Sequence, residues 1–188
     1  MTAFTTEKID VEPWFDMELF MGVSQETRLG GDVMDRFMTL WKNWLPHLTV
    51  KGIDTGKIKY LLVALDESVE QDVDQAWEGS PSNAFLYNAL AQTMCMAAVH
   101  AVIPEVQDAG CAPAPKPTAT LREALEAEGI PYSNDKDPIL SRRYAVVTHY
   151  PFKGGCEICV LQSNCPKGQG QMEATSVVLP GYEHPQQM

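Results

Sequence analysis

The feature that most restricts the fold of this chain is the stretch between Glu78 and Glu105, which contains no Asp, Glu, Lys or Arg. It is long enough to cross a bilayer. However, it also contains serine, asparagine, glutamine, threonine and histidine side chains, which are costly in hydrocarbon. We therefore expect no membrane partner. The pattern instead predicts a helix from Ser82 to about Ile103, ended by Pro104 and buried at the centre of a soluble bundle.

Apolar residues elsewhere recur at spacings of three and four, which is the period of an amphipathic helix. One such stripe runs from Val33 to Leu45. A second runs from Ile58 to Trp77; its first part, 58–65, also fits a buried strand, but the unbroken stripe favours a helix.

Shorter helices are predicted after Glu12-Pro13, after the capping box at 120–123, and over 138–150. The expected fold is mainly α, a single-domain bundle of about five or six helices. We expect the helical domain to span 1–150 and to include a proline-rich connector at 111–118. An irregular C-terminal loop and tail would follow over 151–188, with a short extended piece at 177–179.

The net charge of the chain argues against nucleic-acid binding as its function. Twenty-five acidic and fourteen basic residues give a net charge of −11, which repels nucleic acid, so a protein partner is expected instead. The acidic run from Asp66 to Glu78 is either a solvated helix face or a docking surface for a basic partner. Residues 1–10 lack the features of a signal peptide, which predicts a cytoplasmic protein.

Three of the five cysteines, Cys156, Cys159 and Cys165, form a Cys-x2-Cys-x5-Cys pattern. In a reducing compartment, such clustering indicates metal ligation rather than disulfide bonds. The preceding Gly154-Gly155 pair allows the backbone to turn tightly. The segment therefore predicts a metal-binding loop.

This spacing resembles the C-terminal iron–sulfur loop of endonuclease III-type DNA glycosylases, Cys-x6-Cys-x2-Cys-x5-Cys, in which four cysteines hold a 4Fe–4S cluster. His149 occupies the position of the first cysteine of that pattern. The resemblance covers about twenty residues of the chain. No helix-hairpin-helix segment precedes the loop, so glycosylase activity is not implied.

The loop is also similar to that of RecB-type iron–sulfur nucleases, which add one cysteine far upstream to the same pattern. By that resemblance Cys111 would be the distant ligand. Cys95 is a poorer candidate because it lies in the predicted buried helix.

The expected cofactor is a 4Fe–4S cluster, held by Cys156, Cys159, Cys165 and His149, with Cys111 as the alternative fourth ligand. Zinc is the alternative metal for these ligands. The cluster would be structural or would transfer electrons. Two further functions stay open. One is an acidic accessory or chaperone protein for a redox enzyme, cross-linked by a structural zinc ion. The other is a metalloenzyme whose metal has an open coordination position. No catalytic residue is assigned.

Overall fold

A computed structural model describes residues 4–134 and 138–165 of the chain. In these ranges the protein has a mixed α/β fold, with six α-helices and one four-stranded antiparallel sheet. The expectation of a mainly α bundle, and of an all-alpha protein, is therefore wrong. The strands are β1 (Thr5–Lys8), β2 (Leu48–Asp54), β3 (Lys59–Leu65) and β4 (Ala145–His149). The helices are α1 (Met17–Ser24), α2 (Gly31–Trp44), α3 (Glu67–Gly79), α4 (Pro81–Val102), α5 (Glu105–Ala109) and α6 (Ala119–Ala127).

The sheet has the order β1-β2-β3-β4, and each pair of neighbours is antiparallel. A tight turn joins β2 to β3: Thr55 N–H donates to Ile58 O at 3.0 Å, and Gly56 has a φ of 76°. Four helices separate β3 from β4 in sequence. The pairing of β4 with β3 is therefore a long-range contact.

The helix predicted from Ile58 to Trp77 is wrong in its first half. Lys59–Leu65 is strand β3, and α3 begins only at Glu67, after Asp66 accepts a hydrogen bond from Ser68 N–H at 2.9 Å. Six of the seven residues of β3 are buried, because both faces of the sheet are covered. A strand buried on both faces loses the alternation that distinguishes it from a helix.

The helix predicted over 138–150 is also wrong, because β4 occupies its second half. The strand contains Val146, Val147 and Thr148, whose branched side chains suit a sheet. Its ends are fixed by hydrogen bonds from Leu65 N–H to Tyr144 O and from Tyr150 N–H to Lys59 O, at 2.9 and 3.0 Å.

Two apolar cores lie on opposite faces of the sheet, giving three layers. The larger core packs Val50, Leu61 and Val63 against side chains of α1 to α4. The smaller core packs Leu62 and Val147, among others, against α6. The sheet thus separates α6 from the other long helices.

Helix α4 lies at the centre of the larger core, as the sequence predicted. It begins at Pro81, directly after Ser80, whose hydroxyl accepts from Asn83 N–H, rather than at Ser82. By length and composition alone it could cross a membrane, and half of its apolar window is buried inside the fold. Helix α2 also confirms its prediction, whereas α6 is capped by Thr118 and not by the box at 120–123. The extended piece predicted at 177–179 lies outside the described residues.

Candidate functional site

Four of the five cysteines line one pocket at the surface of the larger core. The pocket is small, with a volume of about 30 Å³, and its surface is almost entirely apolar. One wall comes from the end of α5 and the connector after it, and the other from the loop that follows β4. The lining residues are Ala109, Cys111, Pro113, Gly155, Cys156, Cys159, Gln162 and Cys165.

Two consecutive turns of 3-10 helix, Cys156–Ile158 and Gln162–Asn164, carry three of these cysteines. Cys159 N–H donates to Cys156 O at 3.1 Å, which closes the first turn. Cys165 N–H donates to Gln162 O at 3.3 Å, which closes the second. The two turns account for the Cys-x2-Cys-x5-Cys spacing, because each brings a cysteine back toward the same pocket.

Gly154 allows the loop to enter its first turn. Its φ is 139°, a conformation that side chains with a Cβ rarely adopt. A Cβ built on Gly154 would lie 2.3 Å from Glu157 Oε1, and that oxygen accepts a hydrogen bond from Gly155 N–H at 2.9 Å. A larger residue at 154 would therefore displace the Glu157 carboxylate that holds the turn.

Cys111 reaches the pocket because helix α5 ends immediately before it. Gly110 takes the left-handed conformation, with a φ of 64°, and directs the chain into the connector. Two hydrogen bonds then fix the connector: Thr148 Oγ1 donates to Pro113 O at 2.9 Å, and Val160 N–H donates to Ala114 O at 3.0 Å. The first attaches it to β4, and the second attaches it to the cysteine loop.

His149, the predicted fourth ligand, is not among the residues that line the pocket. It lies on β4 beside Tyr60, with ring centroids 5.5 Å apart. Since successive side chains of a strand point to opposite faces, and Thr148 faces the connector, His149 points away from it. Burial, and secondarily Lys153, lowers the pKa of His149. The structure therefore brings Cys111, the alternative ligand, to the three loop cysteines instead.

Within residues 4–134 and 138–165, no group of three or more histidine, cysteine, aspartate or glutamate side chains is arranged to hold a metal ion. For these ranges the prediction of a metal-binding group is therefore wrong. None of the five cysteines, all of which are described, forms a disulfide bond. Four of these cysteines line one pocket without forming such a group.

Cys95 is buried, unlike the four cysteines that line the pocket. It is buried in α4, and its Sγ–H donates to Tyr144 O at 3.5 Å. Burial raises the pKa of its thiol to about 12. It is therefore a core residue.

Several carboxylates of the acidic run of α3 pair with other groups of the same molecule at its surface. Arg143 contacts Asp74, with 2.7 Å between Nη1 and Oδ1, and its backbone N–H donates to Glu70 at 2.9 Å. Trp44 Nε1 donates to Asp72 at 2.8 Å. These contacts favour a structural role for the run over a docking surface.

Comparison of the chain with protein-family models, with curated proteins and with solved structures found no match. The site is therefore interpreted from its own residues. Sequence reasoning found the three loop cysteines from their spacing and placed Cys111 second. It missed Gln162 and Pro113, which carry no motif and reach the pocket only through the fold.

Proposed function

We propose that this protein carries a 4Fe–4S cluster held by Cys111, Cys156, Cys159 and Cys165. The observation that carries the proposal is that two segments far apart in sequence bring these four side chains to one pocket. Four cysteine thiolates are the usual ligands of such a cluster. When bound, the cluster would supply a one-electron redox centre and a cross-link between the two segments.

The preference for a cluster over a single zinc ion rests on the spacing of the three loop cysteines. The Cys-x2-Cys-x5-Cys pattern is the one found in the iron–sulfur loops that this segment resembles. Four cysteines would also satisfy zinc, so metal analysis decides between the two.

The loop that carries three of the ligands has little else to hold it in place. None of residues 151–165 is fully buried, and Phe152, half-buried, packs against the larger core ahead of the three cysteines, so apolar burial holds the start of the loop better than the cysteine turns. Its hydrogen bond from Val160 N–H to Ala114 O contributes about 1 kcal/mol. A cross-link from Cys111 to the loop would add stability to these turns, which supports a structural role for the cluster.

The test is the iron and acid-labile sulfide content of anaerobically purified protein, measured with its visible absorption spectrum. We expect about four iron and four sulfide per chain and a broad brown absorption that dithionite bleaches. Cys111→Ala and Cys156→Ala should each lower the iron content to less than half. Colourless protein with one zinc per chain would contradict the proposal.

Two control variants separate the candidate ligands from other residues of the same kinds. Cys95→Ala removes a thiol outside the pocket, and His149→Ala removes the ligand that spacing alone predicts. Both should retain the wild-type iron content. If His149→Ala loses the cluster and Cys111→Ala retains it, the proposed ligand set is wrong.

A further inference from the structure

We infer that Cys156 and Cys159 form a redox-active dithiol, which small disulfides such as oxidised glutathione convert to a disulfide bond in the metal-free protein. This inference goes beyond the proposed function, because the reaction needs no metal and uses only side chains of the described loop. It also selects one pair among the four cysteines that line the pocket. Reversible oxidation of that pair would make metal binding depend on the thiol redox state of the surroundings.

The backbone places the two residues at the ends of one tight turn. Cys156 begins the first 3-10 turn and Cys159 caps it, and the hydrogen bond of 3.1 Å from Cys159 N–H to Cys156 O closes it. A turn of this kind keeps the Cα atoms at positions i and i+3 within about 7 Å of each other. A disulfide usually spans a Cα separation of about 4.4 to 6.8 Å, so the bond requires little backbone movement.

The side chains of the pair also lie on the same side of the turn. In a 3-10 helix the side chains at positions i and i+3 eclipse each other. Cys156 and Cys159 both line the small pocket, as expected of side chains that project into one space. Cysteines whose side chains point apart cannot be bridged, even when their Cα atoms are close. This pair meets both requirements of a disulfide bond.

The same succession of turns makes Cys165 a poorer partner for Cys159. Gln162 N–H donates to Cys159 O at 3.1 Å, and Cys165 N–H donates to Gln162 O at 3.3 Å. Gln162 therefore stands one turn from each of these cysteines, which are two turns apart. Cys111 belongs to a distant segment that forms the opposite wall of the pocket. The turn that starts at Cys156 thus joins the two cysteines best placed to react with each other.

Both thiols are accessible to a small oxidant, since Cys156 and Cys159 are half-buried whereas Cys95 is buried. The reaction is two successive thiol–disulfide exchanges. The thiolate of one cysteine attacks a sulfur of oxidised glutathione, which gives a mixed disulfide and releases one glutathione thiolate. The thiolate of the other cysteine attacks the cysteine sulfur of the mixed disulfide and releases the second glutathione. The dithiol loses two electrons and two protons, which convert one oxidised glutathione to two reduced molecules.

The test equilibrates the metal-free full-length chain with glutathione buffers of increasing oxidation, without oxygen and in the presence of a chelator. Alkylation then traps the remaining thiols, and cleavage after Lys153 and Glu157 places Cys156 and Cys159 on separate peptides. We expect a disulfide that links these two peptides. Its equilibrium constant of formation should be at least tenfold larger in the folded chain than in concentrated urea, where only closeness in sequence favours the pair.

Two matched variants identify the cysteines that take part. Cys165→Ser should retain the linked peptides and an equilibrium constant within twofold of wild type. Cys159→Ser should instead give only a mixed disulfide between glutathione and Cys156. Tryptophan fluorescence checks that each variant is folded. If a variant does not fold, fragmentation of the linked wild-type peptides identifies the bonded cysteines by itself.

Three results would overturn the inference. The first is a disulfide in the folded chain that uses Cys111 or Cys165, and the second is the absence of any disulfide in the most oxidising buffer. The third is an equilibrium constant no larger in the folded chain than in urea. None of these results depends on the cluster, whose presence is decided separately by the iron and sulfide content of anaerobically purified protein.

Discussion

Removal of the cluster should lower the stability of the whole fold, because the cluster would join two distant parts of the chain. Cys111 and Cys156 lie 45 residues apart in sequence. In the chain-entropy description of a cross-link, closing a loop of that length stabilises the folded state by about 4 kcal/mol. This magnitude treats the cluster as one cross-link.

The assay compares urea unfolding of the holoprotein with that of protein from which a chelator has removed the iron, both under anaerobic conditions. Tryptophan fluorescence reports the rest of the fold rather than the loop, because all four tryptophans precede residue 78 and two of them, Trp41 and Trp44, are buried in the larger core. With a urea dependence of about 2 kcal/mol per molar, the midpoint should fall by about 2 M when the cluster is removed.

Two controls decide whether the cross-link explains the shift. Cys95→Ala should show the same difference between its holo and apo forms, since Cys95 is not a proposed ligand. Apo Cys111→Ala should unfold close to apo wild-type protein. Holo and apo midpoints within about 0.3 M of each other would refute the cross-link reasoning.

Three further outcomes are expected. Gly154→Ala should lower the iron content at least twofold, because its Cβ would meet the Glu157 carboxylate, and iron analysis against wild-type protein checks this. In folded apoprotein, iodoacetamide at neutral pH should label four cysteines and leave Cys95 unmodified, since burial raises its pKa to about 12; mass spectrometry showing rapid labelling of Cys95 would contradict its placement. The hydrogen bond and charge of Arg143 lower the pKa of Asp74 below its ordinary 3.8, so the ion pair stabilises the fold above that pH and the stabilisation is lost as the pH falls through the lowered value. The difference in urea midpoint between wild-type protein and Asp74→Asn should therefore shrink below about pH 4, and a difference that grows there would have the wrong sign.

Patterns within short stretches of the sequence were enough to predict the helices α2 and α4. Helix α2 has an apolar stripe on one side, and its predicted and observed bounds agree closely. Helix α4 is apolar nearly all round, and it is central to the larger core. For α2 the period of the apolar residues carries the information, whereas for α4 the length of the stretch without charged residues carries it.

The sheet could not be predicted in this way, because its order depends on residues far apart in sequence. Strand β3 pairs with β4 across the whole of α3 to α6, and it is buried on both faces. Its apolar run therefore has no alternation and joins smoothly onto the stripe of α3 at Val69 and Val73. Without the partner strand, the run is ambiguous between helix and strand.

The candidate site shows the same division between local and long-range information. The spacing of Cys156, Cys159 and Cys165 is local, and it identified three residues that the fold brings to one pocket. The choice between His149 and Cys111 depends on which face of β4 the connector covers. That contact, between Thr148 and Pro113, exists only in the folded chain.

The most direct test of the central claim is anomalous diffraction at the iron edge from crystals of anaerobically prepared protein. The account predicts one compact iron peak bounded by the sulfur atoms of Cys111, Cys156, Cys159 and Cys165. An iron peak bounded by His149 instead of Cys111, a zinc peak in its place, or no metal peak among these four cysteines would contradict it.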